Sequence, residues 1–143
     1  MGERMRPARM THMALRTHDM DASIDFYRRF AGLEVVHERQ DQGVRVAWLS
    51  DRPDHGGFVI VLIALPHAPV AEPTPADHLG FDVESREDVD RIAALAQEEG
   101  RLKLSARDLG PIVGYITLVR DPSGNTCEFS HGQALGVEAS GPS

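Results

Sequence analysis

The sequence predicts an α+β fold: two β-α-β-β-β modules whose sheets form an open, barrel-like cup of mixed sheet with the helices outside. Two observations carry the prediction. The order strand, helix, strand, strand, strand occurs twice in 143 residues, and a proline-rich stretch, PHAPVAEPTPAD at 66–77, separates the two runs. The repeat is one of element order, because residue identity between the halves is low.

Residues 11–27 read THMALRTHDMDASIDFY, and residues 77–93 read DHLGFDVESREDVDRIA. Each opens with His, continues in alternation, meets an acidic patch and enters a helical pattern. In the first strand, 11–17, a period of two puts His12, Ala14 and Arg16 on one face and Met13 and Leu15 on the other. The first helix starts near Asp19 or Asp21, either a suitable cap, and ends at Gly32. Ile24, Tyr27 and Ala31 recur at helical spacing, with Phe26 and Phe30 beside them, so this face is expected to cover the sheet. VAWLSDRPDHGGFVIVLIA (46–64) then supplies strand, turn and strand.

In the second half His78, Gly80 and Asp82 share one strand face, and Leu79, Phe81 and Val83 the other. Ser85 to Asp88 resembles a capping box with Asp in the Glu position. Val89, Ile92, Ala93 and Ala96 make the apolar stripe of the second helix, which Gly100 ends. GYITLVRDPSGNTCEFSHG (114–132) repeats the strand, Asp- and Gly-rich turn, and strand. The chain is therefore expected to be a single domain made of module 9–65, linker 66–76 and module 77–131, with flexible tails at 1–8 and 132–143.

A chain of this length buries about two-thirds of its unfolded surface. The net charge of −7 argues against nucleic acid or an anionic membrane as partner. No apolar run approaches the roughly 18 residues of a membrane span, and MGERMRPAR lacks the apolar core of a signal peptide. A lone cysteine, Cys127, cannot form an internal disulfide, so a cytoplasmic location is expected.

Polar residues on otherwise apolar strands mark the candidate site. His12 opens the first strand of module one and His78 that of module two. Glu128 lies in the last strand of module two, sharing a face with Thr126 and Ser130, while Cys127 and Phe129 take the helix-covered face. Each of these alone reads as an ordinary residue: a strand-start His is usually satisfied locally, and a strand Glu usually meets solvent. Their coincidence in repeat position and face parity is what makes a set of them. Two imidazoles and a carboxylate form a facial metal-binding set with open positions, suited to Fe(II) or Mn(II) and less exclusively to Zn(II), Ni(II) or Co(II). A metal ion would also offset the cost of burying the carboxylate.

Arg16 and Asp82 share the cavity face of the two first strands, where they could pair or contact a polar substrate. Trp48 and Leu118 fall at matching repeat positions, as pocket lining or as plain core. Ser130 shares the Glu128 face. His131 is expected to face away from the metal set as a surface residue, His18 to lie at the pocket mouth, and His37 and His55 to be solvated. Cys127 is expected to be buried packing.

The double β-α-β-β-β layout, the openings THMALRTHDMDASIDFYRRFAGLEVV and DHLGFDVES, and the ending RDPSGNTCEF resemble the vicinal oxygen chelate superfamily (glyoxalase, bleomycin resistance protein, extradiol dioxygenase). The resemblance covers roughly residues 9–131. It implies one metal ligand from the first strand of each module and up to one from each last strand, here His12, His78 and Glu128, with Val61 at the fourth position. Glyoxalase I has a carboxylate there, so Val61 points away from its four-ligand site. Two His and one Glu is the pattern of extradiol dioxygenases and fosfomycin-resistance enzymes. Leu118 stands where both groups have a tyrosine, the region around Ile63 lacks the dioxygenase acid–base histidine (His67 is nearby), and Gly136 and Val137 stand where the fosfomycin enzymes carry an arginine.

The resemblance thus implies a divalent-metal-dependent, dioxygenase-like enzyme that chelates vicinal oxygens of a small substrate and leaves coordination positions for substrate and O₂. The alternatives are a glyoxalase I-like lyase or isomerase, with water replacing the ligand missing at Val61, and a metal-free, bleomycin-resistance-like binding protein. A homodimer is expected, its modules paired within a chain or exchanged between chains.

Overall fold

The computed structural model describes residues 2–54, 56–67 and 76–135. The chain divides into two compact units, the first ending at His67. The first contains β1 (His12–Thr17), α1 (Met20–Ala31), β2 (Glu34–Asp41), β3 (Val44–Ser50) and β4 (Val59–Ala64). The second contains β5 (Leu79–Asp82), α2 (Arg86–Glu98), β6 (Leu102–Asp108), β7 (Tyr115–Arg120) and β8 (Thr126–His131). Each unit is thus a β-α-β-β-β module, as the repeat predicts.

The two sheets have the same topology. Their strand orders are β1-β4-β3-β2 and β5-β8-β7-β6. β1 runs parallel to β4 and β5 parallel to β8, while the remaining pairs are antiparallel. The sequence dictates this layout. Short Asp- and Gly-rich turns permit only antiparallel neighbours, whereas the first strand is separated from its partner by a helix and two strands, a connection long enough for parallel pairing.

Local chemistry sets the helix ends. Asp19 caps α1, its Oδ1 accepting from the Ala22 N–H at 3.0 Å, and Gly32 ends the helix in the left-handed region at φ 66°. Ser85 caps α2, its Oγ accepting from the Asp88 N–H at 3.1 Å. The Asp88 carboxylate pairs with Arg91.

The buried face of α1 consists of Met20, Ser23, Phe26, Tyr27 and Phe30. It is rotated from the expected stripe: Ile24 and Ala31 are only half-buried. The cause is a buried hydroxyl pair, Thr17 Oγ1 to Ser23 Oγ at 2.6 Å, which docks the first turn of the helix on the end of β1. Around it Phe26 meets Tyr27 edge-on at 5.0 Å and stacks on Phe30 at 4.5 Å. In the second unit Val89, Ala96, Val119, Cys127 and Phe129 are fully buried, and Phe81 stacks on Phe129 at 5.2 Å.

Most of the expected linker, and His55, Gly136 and Val137, lie outside the described residues. The stretch after β8, expected to be part of a flexible tail, begins with anchored residues. The Ala134 N–H donates to the Ile112 carbonyl at 2.9 Å, and the Gln133 side chain donates to the Val113 carbonyl at 3.1 Å. Among the described residues no helix is long and apolar enough to cross a membrane.

Candidate metal centre

The turn before β8 is built by one aspartate. Asp121 Oδ1 accepts from the backbone N–H groups of Ser123 (2.9 Å) and Asn125 (2.8 Å), and its Oδ2 from Asn125 Nδ2 (2.9 Å). Gly124, at φ 91°, closes the turn by donating to the Asp121 carbonyl at 3.1 Å. Such an Asx-type turn fixes where the strand starts, and alternation then decides which residues face which way.

β8 reads Thr126, Cys127, Glu128, Phe129, Ser130, His131, and its first five residues are all buried. Cys127 and Phe129 belong to the core. Glu128 faces the other way, in register with Gly80 of β5 on one side and Leu118 of β7 on the other. Ser130 is in register with Asp82 and Ile116. Gly80 leaves room at the carboxylate: a Cβ there would lie 3.9 Å from Glu128 Oε2.

His78 lies two residues before Gly80. Its Nε2 stands 3.2 Å from Glu128 Oε2, the imidazole being 40% exposed and the carboxylate 8%. The other ring nitrogen, Nδ1, is 2.9 Å from the Ala76 carbonyl. A carbonyl only accepts, so Nδ1 carries a proton, and in the neutral ring Nε2 presents its lone pair to the carboxylate. Two lone-pair donors facing each other need a positive species between them, a proton on Nε2 or a cation. Two ligands at about 2.0–2.2 Å from one ion, on adjacent coordination positions, stand about 3 Å apart. The spacing of the pair is compatible with a metal ion between them, and a carbonyl on the far ring nitrogen is an arrangement also common where a His ligates metal.

The first unit has the same register with different chemistry. Val61 of β4 is paired with Ala14 of β1 and Trp48 of β3, the places that Gly80 and Leu118 take around Glu128. His12 again lies two residues before the small residue, with Nδ1 2.9 Å from Thr11 Oγ1. Arg16 is exposed and in register with Ile63. Trp48 packs under His37, ring centres 4.7 Å apart, with the Arg39 guanidinium 5.4 Å from its ring centre. His37, expected to be solvated, is exposed but lies on an aromatic partner. Among the described residues no group of three or more His, Cys, Asp or Glu side chains is placed to hold a metal ion.

Two polar residues on the Glu128 side escaped sequence reasoning. Lys103 Nζ donates to Thr126 Oγ1 at 2.6 Å, bringing an ammonium to the strand face that carries Glu128. The register of β6 shifts between Leu102 and Leu104, so simple alternation could not place it. Gln133 Nε2 lies 3.3 Å from Glu128 Oε1. The only sequence signal for it is Gly132, a residue free to reverse strand parity.

His131 is half-buried rather than a surface residue, with Nδ1 3.1 Å from the Val83 carbonyl. It lines a cavity of about 490 Å³ with Arg86, Asp108, Tyr115 and the loop glycines. There Arg86 pairs with Asp108 at 2.7 Å and lies over Tyr115. The Gly110 N–H, followed by Arg86, holds the Asp108 carboxyl below its usual range. The Asp90 carboxylate, accepting from the Tyr115 hydroxyl at 2.5 Å, pushes that phenol up.

The fold and the strand register are those that the sequence resemblance implies. Residues 9–129 match the Glyoxalase/Bleomycin resistance protein/Dioxygenase superfamily, and the chain belongs to it. It is 37% identical over 127 residues to an uncharacterized protein of Pseudomonas aeruginosa, covering 89% of this chain and 91% of that one. The trypanothione-dependent glyoxalase I of Leishmania major has the same fold, with a TM-score of 0.69 at 22% identity over 88% of each chain. So does the fosfomycin resistance protein FosX of Listeria monocytogenes, crystallised with Mn(II), with a TM-score of 0.70 at 19% identity over 91% of this chain and 96% of that one.

Proposed function

We propose that the protein is a divalent-metal-dependent, dioxygenase-like enzyme acting on a small substrate with two neighbouring oxygens. The observation that carries the reading is the approach of His78 Nε2 to Glu128 Oε2 at 3.2 Å, with Nδ1 held by a backbone carbonyl. In this reading His12, from the same chain or from a second copy in a homodimer, completes the ligand set. When bound, Fe(II) or Mn(II), or less exclusively Zn(II), Ni(II) or Co(II), would supply Lewis acidity toward both substrate oxygens.

The chain's own residues do the rest. Glu128 carries a negative charge in a buried place, which raises the affinity of the centre for a cation. Leu118 keeps water from one flank of that carboxylate. Ser130 and Asp82 offer hydrogen-bonding groups one step along the same face, and Lys103 offers a cation for an anionic end of the substrate. Arg16 and Trp48 are the corresponding substrate contacts of the first unit. The location proposed is the cytoplasm, where a lone, buried Cys127 stays reduced.

Metal analysis of protein purified without chelator, followed by O₂-uptake assays on catechol-type substrates, tests the reading. Stoichiometric metal and substrate-dependent O₂ consumption are expected. Turnover of methylglyoxal–glutathione under nitrogen with Ni(II), Zn(II) or Mn(II) would instead establish a glyoxalase-like reaction, despite Val61. Absence of stoichiometric metal, with ligand binding unchanged in His12→Ala, would leave a metal-free binding protein.

Gly80 supplies a further check. Gly80→Ala places only an ordinary contact 3.9 Å from the carboxylate, and wild-type metal affinity is expected. Gly80→Leu projects a branched chain over Oε2 and should weaken Co(II) binding by about tenfold or more, a loss worth at least ~1.4 kcal/mol. Isothermal titration measures both, and equal affinities would remove the carboxylate from the site.

A further inference from the structure

β8 ends at His131, and continued alternation would send residue 133 to the helix-covered face. Gly132 prevents this. At φ 78° it adopts a left-handed conformation that reverses the parity at little steric cost. The Gln133 side chain thereby reaches Glu128, five residues back along the chain. Its two amide hydrogens have separate acceptors, Glu128 Oε1 at 3.3 Å and the Val113 carbonyl at 3.1 Å.

The loop that offers Val113 is brought close by another glycine. Gly114 has φ 87°, and a Cβ on it would lie 2.6 Å from the His131 carbonyl oxygen and 3.0 Å from the Gln133 nitrogen. With no side chain there, the 109–114 loop lies against the backbone just after β8, and Ala134 fastens it through the Ile112 carbonyl at 2.9 Å. One primary amide therefore connects this loop to the candidate ligand. It leaves the two oxygens of Glu128 inequivalent: Oε1 faces an N–H donor, and Oε2 faces His78 at 3.2 Å.

We infer that Gln133 is a positioning residue for Glu128, fixing the carboxylate so that Oε2 alone is presented beside His78. The inference rests on the metal-centre reading for its functional meaning, while the contact itself exists without metal. Outer partners of this kind typically change metal affinity 10–100-fold when removed.

Gln133→Met keeps the length of the side chain and loses the donor. Gln133→Asn keeps the amide but is one methylene too short, and serves as the second variant should the first fold poorly. Two readouts apply. In metal-free protein, the ¹³C resonance of the Glu128 carboxyl reports on its hydrogen bond. With Co(II), titration gives affinity, and the visible spectrum reports how the ligands are arranged. Both variants should melt near the wild-type temperature, shift the Glu128 resonance, weaken Co(II) binding 10–100-fold and alter the spectrum. An unmoved resonance, or Co(II) affinity and spectrum equal to wild type, overturns the inference. A wild-type chain that takes up no Co(II), but whose Glu128 resonance responds to Gln133→Met, overturns the metal reading and upholds the positioning contact.

Discussion

Glu128→Gln is expected to abolish stoichiometric metal binding and leave the fold intact. The substitution is isosteric, so the buried volume between Gly80 and Leu118 is still filled. It removes the anionic donor, a larger change than losing an outer-sphere partner, so affinity should fall by more than the roughly 10–100-fold those changes cost. Stability should move little, within about 1 kcal/mol. The partly solvated pairing with His78 is lost, but so is the cost of burying a charge. Metal content by elemental analysis, Co(II) titration and a thermal melt make the measurement. A variant that retains metal at wild-type stoichiometry would remove Glu128 from the ligand set. Metal lost together with a large drop in melting temperature would make the carboxylate structural.

The placement of Glu128 was legible because two regularities reinforced each other. Alternation in a strand assigns faces, and the repeated module assigns partners. Together they put His78, Gly80 and Glu128 on one face; the register pairs Gly80 with Glu128, and it gives Val61 the place matching Glu128 that the family resemblance implied. What stayed illegible sits where the alternation breaks. Lys103 lies at a register shift in β6. Gln133 follows a glycine whose left-handed backbone reverses the direction of the next side chain. The rotation of α1 depends on a hydroxyl pair, Thr17 with Ser23, which hydrophobic spacing does not weigh. Regular periods set the strand faces, and the exceptions arise where a bulge, a left-handed glycine or a buried polar pair overrides the period.

The residue next to Glu128 should behave in the opposite way. Phe129 is fully buried, stacked on Phe81 at 5.2 Å and in register with Thr117. Phe129→Ala leaves a cavity under α2 in a well-packed core and should cost about 3–5 kcal/mol. Set against a typical total of about 5–15 kcal/mol, that is a large share, and the melting temperature should fall by roughly 10–20 °C. Phe129→Leu, which refills most of the volume, should cost only about 1–1.5 kcal/mol. Urea and thermal melts followed by circular dichroism give both values. At low temperature, where Phe129→Ala remains folded, its Co(II) affinity should stay within a few-fold of wild type, because the lost ring lies on the face of β8 away from the carboxylate. Loss of metal binding in Phe129→Ala at an unchanged melting temperature would contradict that division, since the two faces of one strand would then not be doing separate work. A stable variant with unchanged binding would instead mean that the neighbours of Phe129 close the cavity without its ring.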